Sequence, residues 1–101
     1  MEIVEHTASY TATASDSGKD IWVTSASDEV LTIPAQQDAS FPDKTYFFVT
    51  RGGTGALTLA GAAGVTVHAC GGRLGVAEQY GTVLVRKTAA DTWLVTGNLS
   101  S

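Results

Sequence analysis

Hydrophobic and polar residues alternate with a period of two, or form short apolar runs, along most of the chain. Both patterns are typical of β-strands, whose side chains point alternately to opposite faces of a sheet. No stretch has the three- and four-residue spacing that marks an amphipathic helix. The pattern predicts strands within the segments Asp20–Ser25, Glu29–Ile33, Lys44–Arg51, Ala56–Ala60, Gly64–Ala69, Thr82–Lys87 and Asp91–Gly97.

Residues that favour turns separate the predicted strands. Glycine clusters at residues 52–55 and 61–64 predict hairpins, because glycine adopts the positive φ angles of tight turns without steric cost. Residues 88–91 predict another hairpin, and Pro34 is expected to end the second strand. Short strands at this spacing favour an all-β fold, either an antiparallel β-sandwich or a barrel, of jelly-roll-like type.

The beginning of the chain has a different composition. Residues 6–18 consist mainly of Thr, Ser and Ala, and they lack the apolar side chains that would hold them against a core. We therefore expect an extended N-terminal arm at residues 1–19 and a β-sandwich domain at residues 20–101. Two states of the arm stay open: partial disorder, and pairing with a neighbouring chain by strand addition, which threonine favours.

The aromatic residues divide into an expected core and an expected surface. Trp22, Phe47 and Trp93 lie in apolar strand segments and are predicted to be structural core residues. Burying one Trp removes about 150–250 Å² from water, worth about 4–6 kcal/mol before entropy, so Trp93 is expected to hold the last strand in place. Tyr10, Phe41 and Tyr80 are candidate interface residues, because aromatic side chains are enriched where proteins meet.

Composition and charge argue against several classes of partner. Only 16% of the residues are charged, and the net charge is −4 with six basic residues. Nucleic-acid binding needs clustered Lys and Arg, anionic lipid repels an acidic surface, and no segment is apolar over a membrane-spanning length. We therefore expect neither a nucleic-acid nor a membrane partner, and a neutral, hydroxyl-rich surface suited to packing against another protein.

The N-terminus and the cysteine content bear on the compartment. The first residues include acidic side chains and no long apolar stretch, unlike a signal peptide. The single cysteine, Cys70, allows no intrachain disulfide. We expect synthesis in the cytoplasm without export by such a signal.

Patterns that would support catalysis or ligand binding are weak. The stretch RGGTGALT, residues 51–58, lacks the lysine and the following helix of a phosphate-binding loop. His68 and Cys70 would share one face of a strand, but structural zinc needs four ligands. One chain cannot supply four, although three copies around an axis could bring three His68 side chains together. No histidine lies in a nucleophile elbow, and no carboxylate pair is selected by spacing. We expect no enzymatic activity, no cofactor and no metal.

Two segments resemble a sequence type common in virion proteins of tailed bacteriophages. In AEQYGTVLVRKTAADTWLVTGNL, residues 77–99, a QY-x-T-hydrophobic strand and a short turn precede a closing W-hydrophobic-V-T-G-N-L strand. In residues 30–69, a strand runs into proline, then a polar loop, an apolar strand, G-x-G-x-hydrophobic-T-hydrophobic and G-V-T-hydrophobic. The resemblance covers Val30 to Leu99 and depends on turn glycines and on the Trp of the last strand.

The resemblance implies an all-β module of a phage head, tail or fibre, often trimeric, without catalytic residues. Because the chain starts at Met1 and lacks the repeats of a fibre shaft, we expect a complete small protein located in the virion. The expected role is that of a homotrimeric capsid decoration or cement protein, which bridges subunits of the major capsid protein and stabilises the shell by mass action.

Two other functions are kept as alternatives. The first is a tail-fibre or baseplate module that binds host-surface glycan through residues 35–43 and 70–80, with Tyr80 or Phe41 stacking on a sugar ring. The second is a small hydrolase, which would need two carboxylates with perturbed pKa values in one pocket.

Overall fold

A computed structural model describes residues 2–35, 41–42 and 44–100. Within these ranges the chain forms mostly strands, with short 3-10 turns at Ala14–Asp16 and Cys70–Gly72, and no helix long and apolar enough to cross a membrane. The strands are β1 (Ile3–His6), β2 (Tyr10–Thr11), β3 (Asp20–Val23), β4 (Glu29–Ile33), β5 (Tyr46–Arg51), β6 (Leu57–Gly61), β7 (Thr66–Ala69), β8 (Gly75–Val76), β9 (Thr82–Ala89), β10 (Thr92–Gly97) and β11 (Leu99–Ser100).

Two sheets pack against each other as a sandwich. Sheet A has the strand order β1-β3-β5-β9-β10-β7, and sheet B has the order β11-β8-β6-β4-β2. The predicted all-β sandwich is confirmed, whereas the barrel alternative is not, because the sheets do not close on each other. Both sheets are mixed rather than wholly antiparallel: β1, β3 and β5 run parallel in sheet A, and β2, β4 and β6 run parallel in sheet B.

Consecutive strands from β1 to β8 alternate between the two sheets, so the chain winds around the core. Asp20 pairs with Phe48 in sheet A, and Glu29 pairs with Leu57 in sheet B, at the same sequence separation. The glycine clusters at 52–55 and 61–64 therefore connect the two sheets, and the hairpins predicted there were wrong. The hairpin predicted at 88–91 is confirmed, because β9 and β10 pair antiparallel across it.

Close packing explains the glycines at 52–55 better than backbone conformation does, since none of them has a positive φ. A Cβ atom on Gly52 would lie 2.5 Å from the hydroxyl of Thr24, and one on Gly53 or Gly55 would overlap backbone atoms of Ser25 or Ser27. The absence of side chains lets the β5–β6 connection pass directly against the β3–β4 connection.

The core lies between the sheets and is centred on Trp93. Its side chain is 1% exposed, and its rings lie 5.0 Å from the ring of Phe41 in an edge-on contact and 5.7 Å from that of Phe47. Phe47 is also buried, but Trp22 is half-buried. Trp22 points away from the core because its neighbours Ile21 and Val23 point into it, and side chains alternate along a strand.

Residues 2–19, which were expected to form an arm, lie along the sandwich. β1 pairs with β3 at the edge of sheet A, and β2 pairs with β4 at the edge of sheet B. Ala12 is buried in the core, and the N–H and hydroxyl of Ser9 donate to Glu29 Oε1 at 3.1 and 2.9 Å. The strand addition considered for this segment thus takes place within the chain, and the segment and the sandwich share one core.

Candidate interaction face

The outward side of sheet A, here called the outer face, carries large apolar side chains. In β5, Phe47 and Val49 are buried, so Tyr46 and Phe48 point outward. The antiparallel register with β9 places Tyr46 opposite Arg86 and Phe48 opposite Leu84. The pairing of neighbouring strands therefore gathers these side chains into one patch.

The apolar side chains of the patch are exposed or half-buried. Tyr46 is 46% exposed, and its ring meets that of Phe48 edge-on, with 6.2 Å between the ring centroids. Leu84 and Leu94 are half-buried beside them, and Leu94 in β10 pairs with Arg86. This apolar surface makes the outer face a candidate interaction surface.

A groove of about 410 Å³ opens on this part of the outer face. Its lining combines apolar rings with basic side chains: Lys44, Tyr46, Phe48, Leu84, Arg86, Lys87 and Thr88. Lys44 and Arg86 are exposed and make no ion pair with any described residue, whereas Lys87 is buried and its Nζ donates to the carbonyl oxygen of Phe41 at 2.8 Å. Such a groove suits a group that has an apolar body and a negative charge beside it.

A polar network fixes Trp22 at the other end of the outer face. The indole Nε1 donates to Asp20 Oδ2 at 2.9 Å, and Asp20 Oδ1 accepts from the hydroxyl of Thr50 at 2.8 Å. The hydroxyl of Thr50 also lies 2.8 Å from that of Thr82. The network crosses β3, β5 and β9, so the orientation of the Trp22 ring is set by three strands.

Tyr80 lies next to Trp22 and is the most exposed large apolar residue of the described part of the chain, at 65%. Its ring centroid is 6.2 Å from that of Trp22. Its φ of 67° is in the left-handed region, which costs about 1–2 kcal/mol for a residue with a Cβ atom. Its N–H donates to the carbonyl oxygen of Arg51 at 2.5 Å. The backbone of Tyr80 is thus held against β5, and its ring is presented to solvent beside Trp22.

Tyr10, also a candidate interface residue, is half-buried and serves the N-terminal segment. Its hydroxyl donates to Asp16 Oδ2 at 2.8 Å, and its ring stacks on that of His6 with 3.7 Å between centroids. Asp16 is buried and also accepts a hydrogen bond from the N–H of Thr13 at 2.8 Å. The cluster joins β1, β2 and the first 3-10 turn. Within it, His6 Nε2 is buried and has no hydrogen-bond partner among the described residues.

The environment of Tyr10 makes the free energy of unfolding depend on pH in the alkaline range. Burial, followed by the hydrogen bond to Asp16, raises the pKa of Tyr10 above its ordinary value of 10.0. Because the folded-state pKa exceeds the unfolded-state pKa, the contribution of Tyr10 is complete below pH 10.0 and is lost as pH rises through the folded-state pKa. We expect the free energy of unfolding to fall more steeply above that pH in the wild type than in Tyr10→Phe. Equal slopes in urea titrations of the two proteins would contradict this assignment.

Phe41, the third candidate interface residue, is a core residue, and the expectation for it needs correction. It is buried against Trp93. Phe41 is the one large apolar side chain of a polar segment, so its ring is the part of that segment that packs into the core. The rest of the loop proposed to bind glycan, residues 36–40 and 43, lies outside the described residues. In the second proposed loop, Tyr80 is the aromatic residue that solvent can reach.

His68 and Cys70 are both exposed, in β7 and in the second 3-10 turn. In the ranges that the structure describes, no group of three or more His, Cys, Asp and Glu side chains could hold a metal ion. The expectation that the protein binds no metal stays a prediction, because a site assembled through His68 would need several copies of the chain.

Two features of the outer face were missed in the sequence, and one of them left a signal there. In the segment YFFV, residues 46–49, aromatic residues occupy successive positions, so both sides of that strand must be apolar. The convergence of Lys44 and Arg86 left no such signal, because it depends on the pairing of β5 with β9.

No protein-family model, curated protein or solved structure matches this chain.

Proposed function

We propose that this protein is a structural component of a bacteriophage particle that binds other virion proteins through the outer face of sheet A. The observation that carries the proposal is the set of bulky side chains that this face leaves exposed or half-exposed, namely Trp22, Tyr46, Phe48 and Tyr80. Each Å² of apolar surface covered by a partner is worth about 25 cal/mol. The resemblance of residues 30–99 to virion proteins supplies the kind of particle.

Within the particle, the proposed role is that of a homotrimeric decoration protein bridging neighbouring subunits of the major capsid protein. A protein that binds the assembled shell, and not its separate subunits, stabilises the shell by mass action. The contact of one copy can be weak, since many copies act together on one shell. A role of this kind needs surface rather than reactive groups, and the exposed ring of Tyr80 next to Trp22 offers such a surface.

The proposal is tested by sedimenting the protein with expanded phage capsids. Tyr80→Asn removes the ring while suiting the left-handed backbone, which Asn tolerates better than most residues, so the fold should be kept. We expect about tenfold weaker binding, or more, as for loss of an aromatic anchor worth about 1.4 kcal/mol or more. Val30→Asn is the matched control, because Val30 is 40% exposed on the opposite sheet. Wild-type binding by Tyr80→Asn would remove this face from the mechanism.

Glycan binding by a tail-fibre or baseplate module is the second candidate function, and the pair Trp22–Tyr80 is the observation that favours it. Exposed aromatic rings next to polar groups can stack on sugar rings, and the carboxylate of Asp20 lies beside this pair. Gold-labelled antibody against the protein places it on heads or on tails. Tail labelling together with a glycan-array signal that Tyr80→Asn abolishes would replace the decoration role by this one.

A further inference from the structure

We infer that the groove on the outer face of sheet A receives strand β1 of a second copy of this chain. In this contact Ile3 lies on the apolar floor of the groove, and Glu5 faces Lys44 and Arg86. The inference rests on the proposed function, since it names the surface through which copies of a homo-oligomeric virion protein associate.

The donating element is an exposed aliphatic side chain with a carboxylate on the same side of its strand. Ile3 is 59% exposed, more than any other large aliphatic residue of the described part of the chain. Glu5, two residues further along β1, is also exposed and points to the same side, because side chains alternate along a strand. Its carboxylate accepts a hydrogen bond from Thr24 at 3.2 Å. This contact does not bury the carboxylate, so Glu5 remains able to meet a cation of a partner.

The backbone of β1 is open as well. Among the described residues, β1 pairs with β3 alone and forms the edge of sheet A. The N–H groups of Asp20 and Thr24 donate to the carbonyl oxygens of Glu2 and His6. Because a ladder uses alternate residues of a strand, the backbone groups of Ile3 and Glu5 point away from β3. This edge position keeps β1 accessible to a partner. Because β5 and β9 are each paired on both sides in sheet A, the contact with the groove is made by the side chains of β1.

The accepting element has the complementary chemistry. The groove has a volume of about 410 Å³, whereas a cavity of about 150 Å³ already holds a benzene-sized group, so an isoleucine side chain fits. Tyr46, Phe48 and Leu84 supply the apolar floor, and Lys44 and Arg86 supply positive charge at its side. In a chain with a net charge of −4, two exposed cations beside an apolar groove match a carboxylate beside an apolar side chain.

The two elements belong to one sheet and cannot meet within a single copy. The groove lies on β5 and β9, and β3 separates these strands from β1. Each copy therefore offers one strand and one groove to other copies. When the strand binds one neighbour and the groove receives another, the contact is heterologous and forms a closed ring if the rotation between copies closes. A ring of three agrees with the homotrimer proposed above.

The experiment measures the mass of the full chain in solution by light scattering. It compares the wild type with variants in which charges on the two sides of the contact are reversed. We expect a trimer for the wild type and a monomer for Ile3→Asp, Glu5→Arg and Arg86→Glu, each with association weakened about tenfold or more. The double variant Glu5→Arg with Arg86→Glu should recover the trimer, because the pair is restored with exchanged signs. Val30→Asp, on sheet B, is the control for an added charge and should stay trimeric. Far-UV circular dichroism verifies that every variant is folded.

Three results would overturn the inference: a wild type that is monomeric at concentrations where it binds capsids, an Ile3→Asp variant that remains trimeric, or a double variant that remains monomeric. The capsid sedimentation of the wild type reports separately on the proposed function. A protein that binds capsids but keeps its trimer in Ile3→Asp would thus refute this contact alone.

Discussion

Replacement of Trp93 by alanine should lower the free energy of unfolding by about 3–5 kcal/mol, the range for removing a large aromatic side chain from a core. Trp93 is buried and contacts the rings of Phe41 and Phe47, so the substitution removes apolar contact with both. The register of β10 also places it opposite Val67 and Lys87. Because a domain is stable by only about 5–15 kcal/mol, the loss would leave a large unfolded fraction at moderate temperature.

Urea unfolding followed by far-UV circular dichroism measures this loss, since the signal does not depend on the tryptophan that is removed. Leu94→Ala is the matched control, because Leu94 is the next residue in β10 and is half-buried on the outer face. We expect it to cost about 1 kcal/mol, in the range of an ordinary substitution. A Trp93→Ala loss no larger than that of Leu94→Ala would mean that the core is not centred on this residue.

The class of fold could be predicted from the sequence because burial on one side of a strand imposes a period of two. Each predicted strand segment overlaps an observed strand, and Glu29–Ile33 was predicted to the residue, whereas β6 and β9 end beyond the predicted Ala60 and Lys87. The missed strands β2, β8 and β11 have two residues each, too few to show a period. The missed strand β1 has four, but its exposed residues include Ile3 and its half-buried ones include His6, so polarity does not follow burial.

The neighbours of each strand could not be predicted in the same way. An apolar pattern states which side chains are buried, but a strand that returns along its own sheet and one that crosses to the other sheet bury the same residues. The glycines at 52–55 could be interpreted in two ways, since close approach of two backbones and a positive φ both require glycine. The structure shows the first cause there, and the second at Gly64, with a φ of 84°.

The outer face could be predicted in part. Because side chains alternate along a strand, Trp22 must point to the face opposite to that of Ile21 and Val23. The expectation that Trp22 lies in the core could therefore have been questioned. Phe41 offered no comparable sign, because one aromatic residue in a polar segment has no pattern around it. The groove depends on register between strands that are distant in sequence, which no local pattern contains.

Replacement of Arg51 by alanine should cost about 2–3 kcal/mol, because it removes a charged donor that joins two connections of the sandwich. Its Nε and Nη2 donate to the carbonyl oxygens of Gly55 and Thr54, each at 2.8 Å. Its Nη1 lies 3.2 Å from the carbonyl oxygen of Ala77. Arg51 is the first residue of the stretch RGGTGALT, which was considered for phosphate binding. In the structure its guanidinium donates hydrogen bonds to carbonyl oxygens of its own chain instead.

Two matched variants separate these hydrogen bonds from a general effect of charge. Arg73→Ala removes the same side chain from an exposed position outside the groove and without a side-chain hydrogen bond to a described residue, and should change the free energy of unfolding by less than about 0.5 kcal/mol. Arg51→Lys keeps the charge but cannot reproduce the planar fork of donors, so it should behave more like Arg51→Ala than like the wild type. Full stability in Arg51→Lys would show that charge alone is needed.

We expect the replacement of Arg51 by alanine also to affect the proposed binding surface around Tyr80. The carbonyl oxygen of Arg51 accepts the N–H of Tyr80, and the guanidinium holds Ala77 three residues before it. When the guanidinium is removed, the segment that presents Tyr80 in its left-handed conformation loses one of its anchors. We therefore expect Arg51→Ala to bind expanded capsids more weakly at temperatures where circular dichroism still shows a folded protein. Capsid binding that falls only in proportion to the unfolded fraction would show that Tyr80 keeps its position without this arginine.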